Sequence, residues 1–184
     1  PNGSGKTTLI NIITGIYVPD TGQILLNGAD VVGSTADQIT HRGVARTFQN
    51  IRIFKRMTVL ENVLAASISC DNQTLRLLLG RARKADGSRM YLAQEALDTV
   101  GLIDESGIIA GDLPLPLRRR LEIARALVRN PQLLLLDEPA GGMTPAETTS
   151  IANLVRDRIA PGRTCLVIEH KMELISDICD HLCV

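Results

Sequence analysis

The chain has 184 residues, 45% hydrophobic but only 2% aromatic, and its 20 Lys and Arg balance its 20 Asp and Glu to a net charge of zero. That size suits one domain with an inserted subdomain, packed by Val, Ile and Leu. The balance lacks the basic excess of a nucleic-acid footprint, and no stretch approaches the ~18 consecutive apolar residues of a membrane span.

In chain order, Pro1–Thr8 reads PNGSGKTT, the body of a P-loop, GxxxxGK[ST], without its opening glycine. Gly5–Thr14 continues it as a helix, with Leu9, Ile10, Ile12 and Ile13 apolar and Gly15 as C-terminal cap. Pro19–Gly22 is a turn, Gln23–Leu26 a strand, and Asn27-Gly28 a hairpin turn. A short helix is expected at Thr35–His41 and a strand at Val44–Phe48. From Met57 to Asn130 the texture is helical: Val59–Ile68, capped by Thr58 with Glu61; Leu75–Lys84; Arg89–Val100, ended by Gly101; and Leu117–Arg129, stopped by Asn130-Pro131. Gln132–Leu136 is an apolar strand buried on both faces. Pro145–Ile159 is a helix, Pro161–Arg163 a turn, Thr164–Ile168 a strand, Met172–Ile178 a helix, and His181–Val184 the start of a strand. Alternating strands and helices at both ends predict an α/β fold with a mostly parallel sheet, and ligands at the carboxyl ends of its strands.

Two expectations concern the ends. A P-loop cut at its first glycine, and a start at Pro1 instead of Met, point to a fragment truncated at both ends, with an exposed core seam and a tendency to aggregate alone. The basic runs Arg81–Lys84 and Arg118–Arg120 are expected to be solvated faces. Cys70, Cys165, Cys179 and Cys183 form no CxxC pair and read as reduced core residues of a cytosolic protein, without a metal role.

The chemistry concentrates in four places. A phosphate chain needs many donors at close range with no side chains in the way. Asn2, Gly3, Ser4, Gly5, Lys6, Thr7 and Thr8 supply a nest of backbone N–H groups, a helix N-terminus and a lysine charge. The hydroxyl of Thr7 is the expected Mg²⁺ ligand. In LLLLDEPA, Leu133–Ala140, a strand ends in two acids: Asp137 to hold Mg²⁺ and Glu138 to polarise the attacking water. His170 follows another strand, where its imidazole can bond the γ-phosphate; Gln49 follows Val44–Phe48, where its amide can coordinate Mg²⁺ or the water. Alone, His170 would read as structural and Gln49 as a surface residue.

PNGSGKTT, Gln49 in RTFQN, LEIARALVRNP before LLLLDEP, and Glu169-His170 together resemble the nucleotide-binding subunits of ABC transporters, over essentially the whole chain. Gly43–Ala66 and Asp137–Thr148 are most similar to the branched-chain amino acid importers of LivG type, with urea and amide importers close by. The resemblance implies a P-loop NTPase fold, with a RecA-like core at 1–56 and 131–184 and a helical subdomain at 57–130. It implies ATP and Mg²⁺ as cofactors, Glu138 as catalytic glutamate, His170 as switch histidine and Gln49 as Q-loop. The implied partners are a second ABC ATPase subunit, membrane permease subunits and, indirectly, a solute-binding protein. The implied place is peripheral, on the cytoplasmic face of the inner membrane.

One segment departs from that family. Its signature, LSGGQ or LxYGQ, is LPLPL here at Leu113–Leu117, with Pro116 at the glycine and Leu117 at the glutamine. Proline removes an N–H and adds bulk, so the grip on a partner's γ-phosphate should be poor. Gly142-Met143-Thr144 likewise replaces the usual GLN or GLD. An asymmetric dimer with a different ATPase and a degenerate, non-catalytic subunit both fit these departures; a soluble ABC-type ATPase is a further alternative.

Overall fold

The computed structural model describes residues 5–68 and 87–183. Helix α1 (Lys6–Ile13) follows Gly5 and closes on Gly15, whose φ of 69° is a left-handed conformation that glycine adopts without cost. A two-residue hairpin joins β1 (Leu25–Leu26) to β2 (Ala29–Asp30) through Asn27 and Gly28, both at positive φ as a type I′ turn requires. Helix α2 (Ala36–His41) opens on a capping box of Thr35 and Gln38, and leads into β3 (Val44–Arg46). Helix α3 (Val59–Ala66) opens on the expected box of Thr58 and Glu61. Helices α4 (Gly87–Thr99) and α5 (Leu115–Leu127) pack with α3. Strand β4 (Leu133–Asp137), helix α6 (Pro145–Leu154), a π-helical turn at Val155–Ile159, β5 (Thr164–Ile168) and α7 (Met172–Ile178) complete the order.

The sheet runs β3-β4-β5, parallel throughout, with Leu133 paired to Val44 on one side and Thr164 on the other. Parallel pairing on both edges makes β4 the central strand, and Leu134, Leu135 and Leu136 are fully buried. Their alternation divides the core. Leu134 and Leu136 join the large cluster built from α3, α4, α5 and α6, while Leu135 packs with Ile10, Ile39, Val44 and Ile168. Ile10 thereby seats α1 against the sheet.

Several expectations need correction. The helix from Pro145 does not run unbroken to Ile159: its last part widens into a π turn, which turns both Val155 and Ile159 into the core. Helix α5 begins at Leu115 rather than Leu117, because Pro116 falls in the first turn, where a missing N–H costs nothing. It ends at Leu127, with Asn130 at φ 46° and its N–H bonded to the Leu127 carbonyl. His181–Cys183 is not a strand, since no described strand pairs with it and an apolar run without a ladder has no reason to be extended. Cys165, Cys179 and Cys183 are free thiols, but none is a fully buried core residue: Cys165 and Cys179 are half-buried and Cys183 is exposed. Residues 75–84, with the run Arg81–Lys84, and Cys70 lie outside the described residues.

The run Arg118–Arg120 is the largest departure. These arginines do not form a solvated face. Arg118 donates to the carbonyls of Gly111 and Leu113, and Arg120 to the Val100 carbonyl and the Ser150 hydroxyl. Arg119 is only 4% exposed. The planar guanidinium has five donors, and here they satisfy carbonyls of irregular segments that have no ladder of their own.

Candidate functional site

Three strand ends build the site. Gln49 follows β3, Asp137 and Glu138 end β4, and His170 follows β5. The parallel register places all of them at one edge of the sheet. There the Gln49 amide Nε2 donates to Glu138 Oε2 at 2.9 Å, and His170 Nε2 lies 3.1 Å from Glu138 Oε1. The three residues expected to be catalytic therefore converge on one carboxylate. Each oxygen carries one such contact and keeps a further lone pair, so the carboxylate can accept from a water as well.

Glu138 sits at φ 48°, a left-handed conformation. Of the other non-glycine residues with positive φ, Asn27 and Asn130 belong to a type that tolerates it; a glutamate does not, at a cost of about 1 kcal/mol or more. The conformation is held by Glu138 N–H on the Ile168 carbonyl at 2.9 Å and by Gly141 N–H on the Glu138 carbonyl at 3.0 Å.

Asp137 is buried and paired with Arg46, Nη2 to Oδ2 at 3.0 Å. Arg46 also donates to Asn11 Oδ1 of α1 at 2.6 Å and lies over the Phe48 ring. This arginine links the P-loop helix, β3 and β4 beneath the site, and a buried carboxylate requires such a partner.

At the P-loop, Gly5 has φ 84° and offers no side-chain cap, and the first turn of α1 carries no acid. An uncapped helix N-terminus with Lys6 in its first turn favours an anion. Lys6 is half-buried, while Thr7 and Thr8 are exposed. Asn2, Gly3 and Ser4 lie outside the described residues. The donor set fits the implied groups. A helix N-terminus without a side-chain cap and a lysine suit the phosphates of ATP. A hydroxyl from Thr7, a carboxylate from Asp137 and an amide oxygen from Gln49 are hard ligands suited to Mg²⁺, which takes few protein ligands and completes its shell with phosphate and water.

Residues that sequence reasoning missed hold this constellation in place. Arg119 donates to the carbonyls of Phe48 and Gln49, at 2.9 and 3.1 Å, and to Glu122 at 2.8 Å. Glu122 accepts from Phe48 N–H at 3.2 Å. Burial pushes the Glu122 carboxyl up, against the downward pull of Arg119. Arg125, on the same helix, donates to the Arg52 carbonyl and lies over the Phe54 ring. Thus α5 grips the segment that carries Gln49. In the sequence Glu122 and Arg125 are marked only as part of the run LEIARAL that carries the resemblance, and Arg119 only by its i, i+3 spacing from Glu122, which is common on solvated helices too.

The start of α5 carries two prolines. Pro114 is the residue that caps α5, without a side-chain bond, and Pro116 lacks an N–H. The Leu117 N–H is already given to the Pro114 carbonyl at 3.1 Å. Few donors are left there for an anion.

Comparison with known proteins gives a consistent result. Residues 1–141 match the family model described as ABC transporter. The chain is 40% identical over 188 residues to the high-affinity branched-chain amino acid transport ATP-binding protein BraF of Pseudomonas aeruginosa, covering all of this chain and 74% of that protein. It is 40% identical over 192 residues to LivG of Escherichia coli K12, a protein of the same description, with the same coverage. Among solved structures it resembles the ADP conformation of MJ1267, an ATP-binding cassette of an ABC transporter, with a TM-score of 0.82 and 35% identity over 97% of this chain and 71% of that one.

Proposed function

The chain belongs to the ABC transporter ATP-binding family, and from that membership we propose that it is the ATP-hydrolysing subunit of an importer for branched-chain amino acids. The observation that carries the reading is the convergence of Gln49 and His170 on Glu138, beside Asp137, at the ends of three parallel strands.

Lys6, Thr7, Thr8 and the loop Asn2–Gly5 bind the phosphates through backbone N–H groups and one ammonium. Thr7, Asp137 and Gln49 would hold Mg²⁺, which when bound would neutralise charge developing on the phosphoryl oxygens. Glu138 orients the attacking water and accepts its proton. His170 contacts the γ-phosphate side of that water, and Gln49 ties its presence to the chain immediately beyond. That chain, held by Arg119 of α5, would face a coupling helix of a permease subunit. Residues 57–130 act as the helical subdomain that rotates against the core formed by 1–56 and 131–184. No helix among the described residues is long and apolar enough to cross a membrane. A peripheral place on the cytoplasmic face of the inner membrane, bound to permeases that receive solute from a binding protein, accords with that.

The start of α5 favours a heterodimer: this subunit's catalytic residues are present, and a different ATPase would supply the grip that Pro114 and Pro116 remove. The test is steady-state ATP hydrolysis by the chain alone and mixed with a candidate partner ATPase, with Glu138→Gln as control, followed by leucine uptake in vesicles carrying the permeases. Turnover only in the mixture supports the heterodimer. No turnover in either, from folded protein, overturns the catalytic assignment and leaves a regulatory ATP-binding subunit.

A further inference from the structure

The two residues that flank His170 grip one alanine. Glu169 Oε1 accepts from the Ala140 N–H at 3.1 Å, and Lys171 Nζ donates to the Ala140 carbonyl at 3.2 Å. Ala140 is fully buried and stands two residues after Glu138. The lysine also donates to the Met143 carbonyl at 3.1 Å and the Thr148 hydroxyl at 2.8 Å. An ammonium has three hydrogens, and three acceptors take them. Glu169 uses its other oxygen on its own loop, accepting from the N–H groups of His170 at 2.8 Å and Lys171 at 3.3 Å.

We propose that Lys171, with Glu169, is a positioning residue for His170, stapling the loop after Glu138 to the loop after β5 so that imidazole and carboxylate meet. The proposal rests on the roles given above to Glu138 and His170. Its physical basis is threefold. The His170–Glu138 contact is partly exposed, with the imidazole side chain 45% accessible, and an exposed pair holds its geometry poorly by itself. Glu138 has a left-handed backbone, which persists only where the surroundings over-determine it. Finally, the lysine's acceptors are the loop's own carbonyls at Ala140 and Met143 and a hydroxyl at the start of α6, so the staple spans the stretch from Ala140, two residues after Glu138, to Thr148.

Movement of the 141–144 loop would therefore shift His170 through Lys171. Reacting groups misplaced by 1 Å can lose about 100-fold in rate, so the expected loss on cutting the staple is in kcat.

The test compares Lys171→Met, which keeps the stem and removes the donors, with Lys171→Cys before and after aminoethylation, which rebuilds an ammonium at nearly the original length. Each is studied in the full chain assembled with its partners, beside the parent treated with the same reagent. Two readings are taken: the ¹⁵N resonance of His170 Nε2 in histidine-labelled protein, identified by its loss in His170→Gln, and ATP turnover. The proposal expects Lys171→Met to move the His170 resonance, to lower kcat about tenfold or more and to leave KM for ATP within about twofold. Aminoethylation of Lys171→Cys should restore both. A merely structural lysine would lower the melting temperature without moving the resonance, and that result overturns the proposal. If Lys171→Met does not fold, Lys171→Gln, which retains two donors, carries the same readings. A parent without turnover would refute the proposed function, while the resonance would still judge the staple.

Discussion

Replacing Arg119 with Met removes a guanidinium that is 4% exposed and takes from Glu122, also 4% exposed, its hydrogen-bonded cation, leaving only the more distant charge of Arg125. Breaking a buried ion pair on one side costs about 3–5 kcal/mol, because the remaining charge stays out of water. The Phe48 and Gln49 carbonyls lose their bonds to Arg119 as well. For a chain of this size the loss corresponds to a fall in melting temperature of about 6–20 °C. The loss should depend on pH, with a definite sign. Burial already raises the folded pKa of Glu122 above its ordinary 4.5, and removing Arg119 removes the strongest downward pull on it. A carboxyl with a raised folded pKa binds more protons folded than unfolded, so its contribution to stability falls as pH rises from 4.5 through the folded value. The variant's deficit should be smaller at about pH 5 than at about pH 8. Urea titrations at both pH values measure this. Replacing both partners, Arg119→Met with Glu122→Leu, should recover most of the stability, since neither charge is then buried. Turnover should stay low in the double variant, because the Gln49 carbonyl still lacks its donor. A single variant that loses less than about 1 kcal/mol, or a double variant as unstable as the single, would refute the account of α5 as a charged grip on the Gln49 segment.

Other perturbations separate the remaining parts of the site. Lys6→Ala should abolish ATP binding by titration calorimetry, whereas Glu138→Gln should bind ATP normally and lose turnover; persistent hydrolysis in the latter would reject Glu138 as the base. Pro116→Gly with Leu117→Gln should raise turnover at a partner's site by restoring an N–H at the start of α5, and an unchanged rate would remove the signature argument. Thr144→Ala should lower the melting temperature by removing the capping box at α6. Thr144 N–H and hydroxyl bonds hold the Glu147 carboxyl below its ordinary 4.5, so that contribution is full above 4.5 and fades as pH falls. The acid limb of the variant's stability curve should accordingly be flatter than the parent's.

Local rules made much of the fold legible. The capping box at Thr58, the Asn27-Gly28 hairpin and the bounds of β5 and α7 come from short-range chemistry that does not need the rest of the chain. The meeting of Gln49, Glu138 and His170 follows from strand order, since each sits just past a strand and parallel strands deliver the residues at their carboxyl ends to one edge; singling out Gln49 and His170 took the family resemblance as well. The arginines could not be read this way. Whether RRR faces water or carbonyls depends on which irregular segments come to lie beside α5, and residues 48–54 and 111–113 are brought there only by the tertiary fold. Lys171 is hidden for the same reason: its acceptors are backbone carbonyls, which every residue has and no composition marks. The two-residue offset at the start of α5 is more local. Pro116 reads as a breaker until its position in the first turn is known.

The left-handed backbone at Glu138 bears on how this protein would respond to selection. Glycine there would relieve the steric cost and gain of the order of 1 kcal/mol, while abolishing the proton acceptor. A screen that rewards heat resistance alone would therefore enrich inactive clones at this codon. The same substitution also separates two histories for a divergent subunit. A lineage freed from hydrolysis has a favourable route to glycine, so each generation that keeps glutamate does so against the pull of stability, and only continued turnover supplies a reason.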